Sequence, residues 1–204
     1  MNSISDLNGV SIQGHIKIYD PTNGEILVQK RNAIHYENMS VALAESIANM
    51  SQGFIYEMNF GNGGTSVDPT GIISYLTPNS TGATASLYNK TYSKVVIDDG
   101  SLNRNPNNNY VETRHVSGTN YTDVLISCLL DYGEPNEQDA FDNATDMNGD
   151  YVFDELGLRS KSSDPDADGR LITHVIFHPI QKSLNRLIQI DYTVRIQSLS
   201  GGNS

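Results

Sequence analysis

Apolar and polar residues alternate almost without fault from Leu187 to Ile196. Ile188, Ile190, Tyr192, Val194 and Ile196 fall on one side, and Gln189, Asp191, Thr193 and Arg195 on the other. A β-strand sends successive side chains to opposite faces, so the pattern predicts a strand with one buried and one wetter face. Upstream, Leu171 to Phe177 and Tyr151 to Leu158 are further apolar, β-branched runs. Three such runs joined by polar turns predict a C-terminal meander, its apolar side covered by a second layer drawn from the earlier half of the chain.

The earlier half supplies further strands. His15 to Tyr19 and Glu25 to Val28 flank DPTNG, and Asn23-Gly24 suits the positive backbone angles of a tight hairpin turn. Phe54 to Phe60, Thr91 to Ile97, Tyr110 to Val116 and Asp123 to Leu130 read as strands, the last two as a hairpin around SGTN. The near-continuous apolar run of Asp123 to Leu130 predicts a central strand buried on both faces. Met39, Leu43, Ile47 and Met50 recur at helical spacing, which predicts one amphipathic helix over 38–50, capped by Asn38 and stopped before Gly53, lying against the sandwich.

The fold class is therefore mainly β: an antiparallel β-sandwich with helix 38–50 packed against it and long loops. The expected boundaries are an N-terminal arm at 1–13, a single domain at 14–198 with an extended loop excursion at about 62–90, and a tail at 199–204. With 204 residues the chain suits one core rather than two.

A net charge of -11 argues against a nucleic-acid groove, because phosphates would be repelled. No apolar run approaches a membrane span, and the N-terminus lacks the basic start and apolar core of a secretory signal. The six Asn-x-Ser/Thr sequons are read as a by-product of an Asn-rich composition. The single cysteine, Cys128, lies in VLISCLL and reads as a small buried hydrophobe.

Five features could carry chemistry. Asp164, Asp166 and Asp168, followed by Gly169, reproduce the opening of a calcium loop, with carboxylates at alternate positions. Position twelve is Val175 rather than a bidentate Glu, and the competing reading is a soluble hairpin turn. Asp146 to Asp150 begins similarly, but Tyr151 stands where the motif wants Gly. His174 and His178 lie on one predicted strand, about 13 Å apart and too far for one ion; solvent-facing or hydrogen-bonded roles are expected. Gly61-Asn62-Gly63-Gly64 lacks the Lys-Ser/Thr and following helix of a phosphate cradle, so it reads as a flexible turn with unusual backbone angles. Finally, Asp154 and Glu155 are adjacent in a predicted strand, so one must face inward. Arg159 or Arg195 could neutralise it in a structural ion pair. No spacing singles out an acid-base pair or an activated nucleophile, which points away from an enzyme.

The helix followed by FIYEMNFGNGGTS, and later FDELGLRS followed by GRLITHVIFHPIQKSLNRLIQIDYTVRI, resembles virion structural proteins of tailed bacteriophages. The likeness lies in a strand ending in Gly-x-Gly, a Phe-x-Glu-Leu-Gly-Leu strand and a closing strand pair. It covers Asn38 to Gly64 and Phe153 to Ile196, about a third of the chain. The resemblance implies a β-sandwich of the neck, tail or baseplate that assembles as a ring or trimer. Its expected partners are copies of itself and other virion proteins, with no nucleic acid and no membrane, and its expected location is the virion. A capsid decoration protein is the alternative within that class. A calcium-dependent carbohydrate- or receptor-binding sandwich using the Asp164 loop is the alternative outside it.

Overall fold

The computed structural model of the chain describes residues 9–97, 105–136, 151–165 and 167–199. Ten strands form two antiparallel sheets of five. The first has the order β2 (Ile26–Arg31), β1 (Gly9–Tyr19), β12 (Ile188–Leu199), β9 (Tyr121–Leu130) and β8 (Tyr110–His115). The second has the order β3 (Ala33–Ile34), β11 (Leu171–Gln181), β10 (Val152–Ser160), β4 (Ile55–Gly61) and β7 (Lys90–Val95). Between them lies one core. Ile16, Ile18, Ile126, Cys128, Ile190, Tyr192 and Val194 from the first sheet meet Met58, Phe60, Leu156 and Leu158 from the second. Each buried aliphatic side chain of this kind contributes about 1.5–3 kcal/mol. The mainly β, single-helix architecture is the one the patterning predicts.

The C-terminal meander is not formed. β10 and β11 pair antiparallel in the second sheet, but β12 crosses to the first, where it lies between β1 and β9. Alternation in β12 specifies a half-buried strand and leaves open which sheet takes it. Each sheet therefore mixes early and late segments. The expected arm is also shorter, because Gly9 to Gln13 already pair with β12 from Leu199 to Arg195. Residues 1–8 and 200–204 lie outside the described residues.

The first hairpin forms with Gly24 at φ 76°, and the β8–β9 hairpin turns with Gly118 at φ 86°. β9 is buried only in its second half, whereas all nine residues of β10 are buried. The helix α1 spans Tyr36–Ile47, two residues earlier than expected, and His35 is its cap: the Asn38 backbone N–H donates to His35 Nδ1. Asn38 is instead a buried first-turn residue whose amide donates to the Leu171 carbonyl of β11. Met39 and Ala42 seat the helix on the core, but Ile47 is 88% exposed and Met50 is also exposed, so the predicted apolar stripe is buried only at its start. The helix stops at Ala48. The chain then reverses through Asn49 at φ 59° and packs Gly53 where a Cβ would lie 2.3 Å from the Ser46 nitrogen.

Candidate functional site

β10 is buried on both faces because residues 62–89 fold back over the side of the second sheet that points away from the core. This excursion contains a two-stranded hairpin, β5 (Thr65–Val67) and β6 (Ile73–Tyr75), with Thr65 opposite Tyr75 and Val67 opposite Ile73. The Asp68 carboxylate closes its tip by accepting from the Thr70 and Ile72 backbone N–H groups and the Thr70 hydroxyl, which lowers its pKa. Gly71 takes a positive φ of 85° beside it.

Two carboxylates hold the excursion down. Strand alternation places Glu155, Gly157 and Arg159 opposite in direction to the core residues Leu156 and Leu158. A bulge between Phe153 and Glu155 brings Asp154 into reach of the same loop. Asp154 accepts from the Gly64 N–H at 2.9 Å, the Thr65 N–H at 2.8 Å and the Thr65 hydroxyl. Glu155 is fully buried. Its Oε1 accepts from the Gly63 and Asn89 N–H groups at 3.1 and 2.7 Å; its Oε2 accepts from the Tyr88 N–H at 2.9 Å and from His174 Nε2 at 3.0 Å. His174 Nδ1 in turn receives the Asn79 N–H at 2.8 Å. A backbone N–H can only donate, so Nδ1 is the bare nitrogen and Nε2 carries the proton given to Glu155. Two acids and one imidazole thus fix both ends and the middle of the excursion.

Burial and hydrogen bonding push these acids in opposite directions. For Asp154 burial dominates and raises the pKa. For Glu155 the bonds from His174, Asn89 and Tyr88 outweigh burial and lower it. The expected Arg neutralisation of these carboxylates is not what the fold uses. Arg159 donates to the Gly169 carbonyl and Ser86 hydroxyl and lies 3.6 Å from Asp168, while Arg195 forms a two-pronged pair with Asp123 on the far sheet. Backbone amides take the place of an Arg here, and those of Gly63 and Gly64 come from a loop about 90 residues away in sequence.

The glycine-rich segment has a different purpose from the expected one. Gly61, Gly63 and Gly64 are not among the residues with positive φ. They permit close approach: a Cβ on Gly61 would stand 2.3 Å from the Asn89 carbonyl oxygen, and one on Gly63 would stand 2.7 Å from the Asn89 nitrogen. Gly157 does the same from the sheet side, leaving room for Leu87, whose Cδ1 would be 2.9 Å from an added Cβ.

The outward side of the excursion mixes exposed apolar side chains with polar ones such as Ser66, Asp68, Thr70, Ser74 and Thr77. Ile72 is 63% exposed and Tyr75 53%, with Val67, Leu76 and Tyr88 exposed near them. Tyr75 reaches His178 Nδ1 at 3.2 Å, and Tyr88 donates to the Thr77 carbonyl. Both histidines of β11 are thus hydrogen-bonded, His174 buried beneath the excursion and His178 exposed at its edge.

The Asp164 loop is arranged for other contacts. Asp168 pairs with Lys90 at 2.5 Å as well as with Arg159, and two cations on one carboxylate oppose a metal ion there. The Asp164 backbone N–H is tied to the Ser162 hydroxyl, and Asp166 lies outside the described residues, as does Asp146 to Asp150. No cluster of three or more His, Cys, Asp or Glu side chains able to hold a metal occurs among the described residues. Cys128 is buried in the core, which pushes its thiol up to about 12. Sequence reasoning missed Lys182, which is buried where β11 ends and donates to the Asp131 and Ser183 carbonyls at 3.0 and 2.9 Å. Its desolvation brings the pKa down to about 8.

No family description, curated protein or solved structure matches this chain.

Proposed function

We propose that this protein is a non-enzymatic structural subunit of a tailed phage particle, assembling as a ring or trimer at the neck or tail with copies of itself and other virion proteins. The observation that supports this most is the construction of the excursion. Its inward side carries the network of Asp154, Glu155 and His174, every member of which is occupied by a hydrogen bond, leaving no acid or imidazole presented to a substrate. Its outward side presents side chains suited to a protein neighbour. A scaffold that commits buried acids to hold such a platform fits an assembly role. The phage setting comes from the resemblance carried by FIYEMNFGNGGTS and FDELGLRS. The pairing of Asp168 with Lys90 and Arg159 weighs against the calcium-dependent binding alternative.

The test is electron microscopy of the purified chain together with light-scattering mass. Closed rings or trimers are expected. A particle of one chain's mass at every concentration would contradict the assembly reading, and turnover of a substrate would contradict the non-enzymatic one.

A further inference from the structure

β7 is an edge strand of the second sheet, and its Lys94 stands opposite Met58, a core residue of β4, so its side chain points into the space between the sheets. The amine crosses to the first sheet, where Nζ donates to the Leu129 carbonyl of β9 at 2.6 Å. The N–H of that same residue donates at 2.9 Å to the side-chain carbonyl of Asn109, a buried residue that leads into β8. In an antiparallel ladder, a residue gives its N–H and C=O to the neighbouring O and N of one partner residue, which lie side by side. Asn109 Oδ1 and Lys94 Nζ fill those two places, so Leu129 holds an amine beside an amide carbonyl. The orientation of the amide is fixed from its other end, where Nδ2 donates to the Asn105 carbonyl at 3.1 Å. Glu134 completes the set: its Oε2 accepts from Lys94 Nζ and is held in place by the Asp131 N–H at 2.8 Å. Lys94, Asn109 and Glu134 line one cavity, open at the edge of the sandwich.

We propose that the Lys94 amine and the Asn109 side-chain amide join in a covalent amide bond, with Glu134 carrying the protons, so that the chain staples its two sheets together at this edge. A proton passes along the hydrogen bond from Nζ to Glu134, leaving an amine and a carboxylic acid. Nζ then attacks Asn109 Cγ, and negative charge gathers on Oδ1, where the Leu129 N–H already donates. The Glu134 acid protonates Nδ2, the Cγ–Nδ2 bond breaks and ammonia leaves, while a second Nζ proton passes to the Glu134 carboxylate. One C–N bond replaces another, so the step needs no oxidant or reductant. The fixed placement of amine, carbonyl and acid supplies the rate. The bond joins β7 of one sheet to the start of β8 in the other, the place a disulfide would serve in a chain with more than one cysteine.

The experiment is intact-mass spectrometry of the full chain, folded and then denatured, as wild type, Lys94→Met and Glu134→Gln. The wild type should be lighter than its sequence by one ammonia. Trypsin should leave it uncut at Lys94, with residues 91–104 still joined to residues 105–114 after cleavage at Arg104. Both variants should keep their full sequence mass, and circular dichroism checks that they fold; the wild-type mass and peptide decide the matter without them. A folded wild type at its full sequence mass overturns the proposal. An ammonia loss that persists in Lys94→Met also overturns it, by placing the loss at another asparagine. A loss undiminished in folded Glu134→Gln overturns the part given to Glu134.

Discussion

Replacing Glu155 tests the anchoring network at the residue on which most of it converges. In Glu155→Ala four donors lose their acceptor together: the Gly63, Tyr88 and Asn89 N–H groups and His174 Nε2. Bonds to a charged acceptor contribute about 1.5–3 kcal/mol each, but their sum overstates the loss because the excursion can lift and let water in. Removing one partner of such a buried network typically costs about 3–5 kcal/mol, a large part of the 5–15 kcal/mol that holds a domain together. Glu155→Gln keeps the shape and still fails. Whichever way the amide turns, its NH₂ faces two donors, Gly63 and Asn89 at one oxygen position or Tyr88 and His174 at the other. His174 cannot switch tautomer to help, because Nδ1 would then present a proton to the Asn79 N–H. Urea unfolding at pH 7, with limited proteolysis of residues 62–89, reads both effects. Alanine should lower stability by about 3–5 kcal/mol and glutamine by about 2–3 kcal/mol, and cleavage in the excursion should rise in both. The acid limb gives a further check. The Glu155 pKa is lowered on folding, so its contribution is complete above its unfolded value near 4.5 and is lost as pH falls through the folded value. Asp154, raised on folding, acts with the opposite sign. Glu155→Gln should therefore lose stability less steeply below pH 4.5 than the wild type. A shift under about 0.5 kcal/mol for alanine, the range of an ordinary surface substitution, together with unchanged proteolysis, would refute the reasoning.

Lys182 gives an alkaline test. Folded, it releases its proton near pH 8, whereas unfolded it holds it to about 10.5. At this group the unfolded state thus binds more protons in between, so Lys182 alone contributes stability that rises with pH over that window by up to about 3 kcal/mol. Cys128, Tyr92 and Tyr192, whose pKa values burial raises from unfolded values near 9 and 10, act oppositely within the same window, so the Lys182 contribution is read as the difference between wild type and Lys182→Met. Between pH 8 and 10 the wild type should gain about 2 kcal/mol relative to Lys182→Met, and a difference that does not change with pH over that range would contradict the assignment. Gly157→Ala would put a Cβ 2.6 Å from Leu171 Cδ1 and 2.9 Å from the Thr173 carbonyl oxygen; a loss of about 1–3 kcal/mol is expected, and an unchanged thermal midpoint would count against the packing described. Cys128, fully buried with its thiol pushed up to about 12, should react with an aromatic disulfide reagent only in denaturant.

What the sequence discloses here is local. Period-two alternation marks β12, and the Asn23-Gly24 and Gly118 turns mark the two hairpins that form around them. Strand partners are not local: nothing within Ile188 to Leu199 says that it lies between β1 and β9 rather than beside β11. The start of β1 does alternate, Val10 and Ile12 against Ser11 and Gln13, but its polar surroundings read as an arm. The helix start was misplaced because Asn38, a good cap by residue type, is used to reach Leu171, and His35 caps instead. For the candidate site, two adjacent acids within an apolar strand signal a buried carboxylate, but neither faces the core: both are covered by residues 62–89 on the other side of the sheet. Their partners are backbone N–H groups, which every residue but proline carries, so no side-chain type could reveal them. The glycines at 61, 63 and 64 are the remaining clue, since a loop without side chains can bring its amides against a buried acid.

The central claim is that buried carboxylates hold residues 62–89 rigidly against the second sheet, and amide hydrogen exchange of the wild-type chain tests it most directly. The Gly63, Gly64, Thr65, Tyr88 and Asn89 amides, which donate to Asp154 or Glu155, and the Asn79 amide, which donates to His174, should exchange as slowly as amides within β10 and β4. Exchange of these six at the rate of exposed loop amides, while the sheets stay protected, would contradict the account.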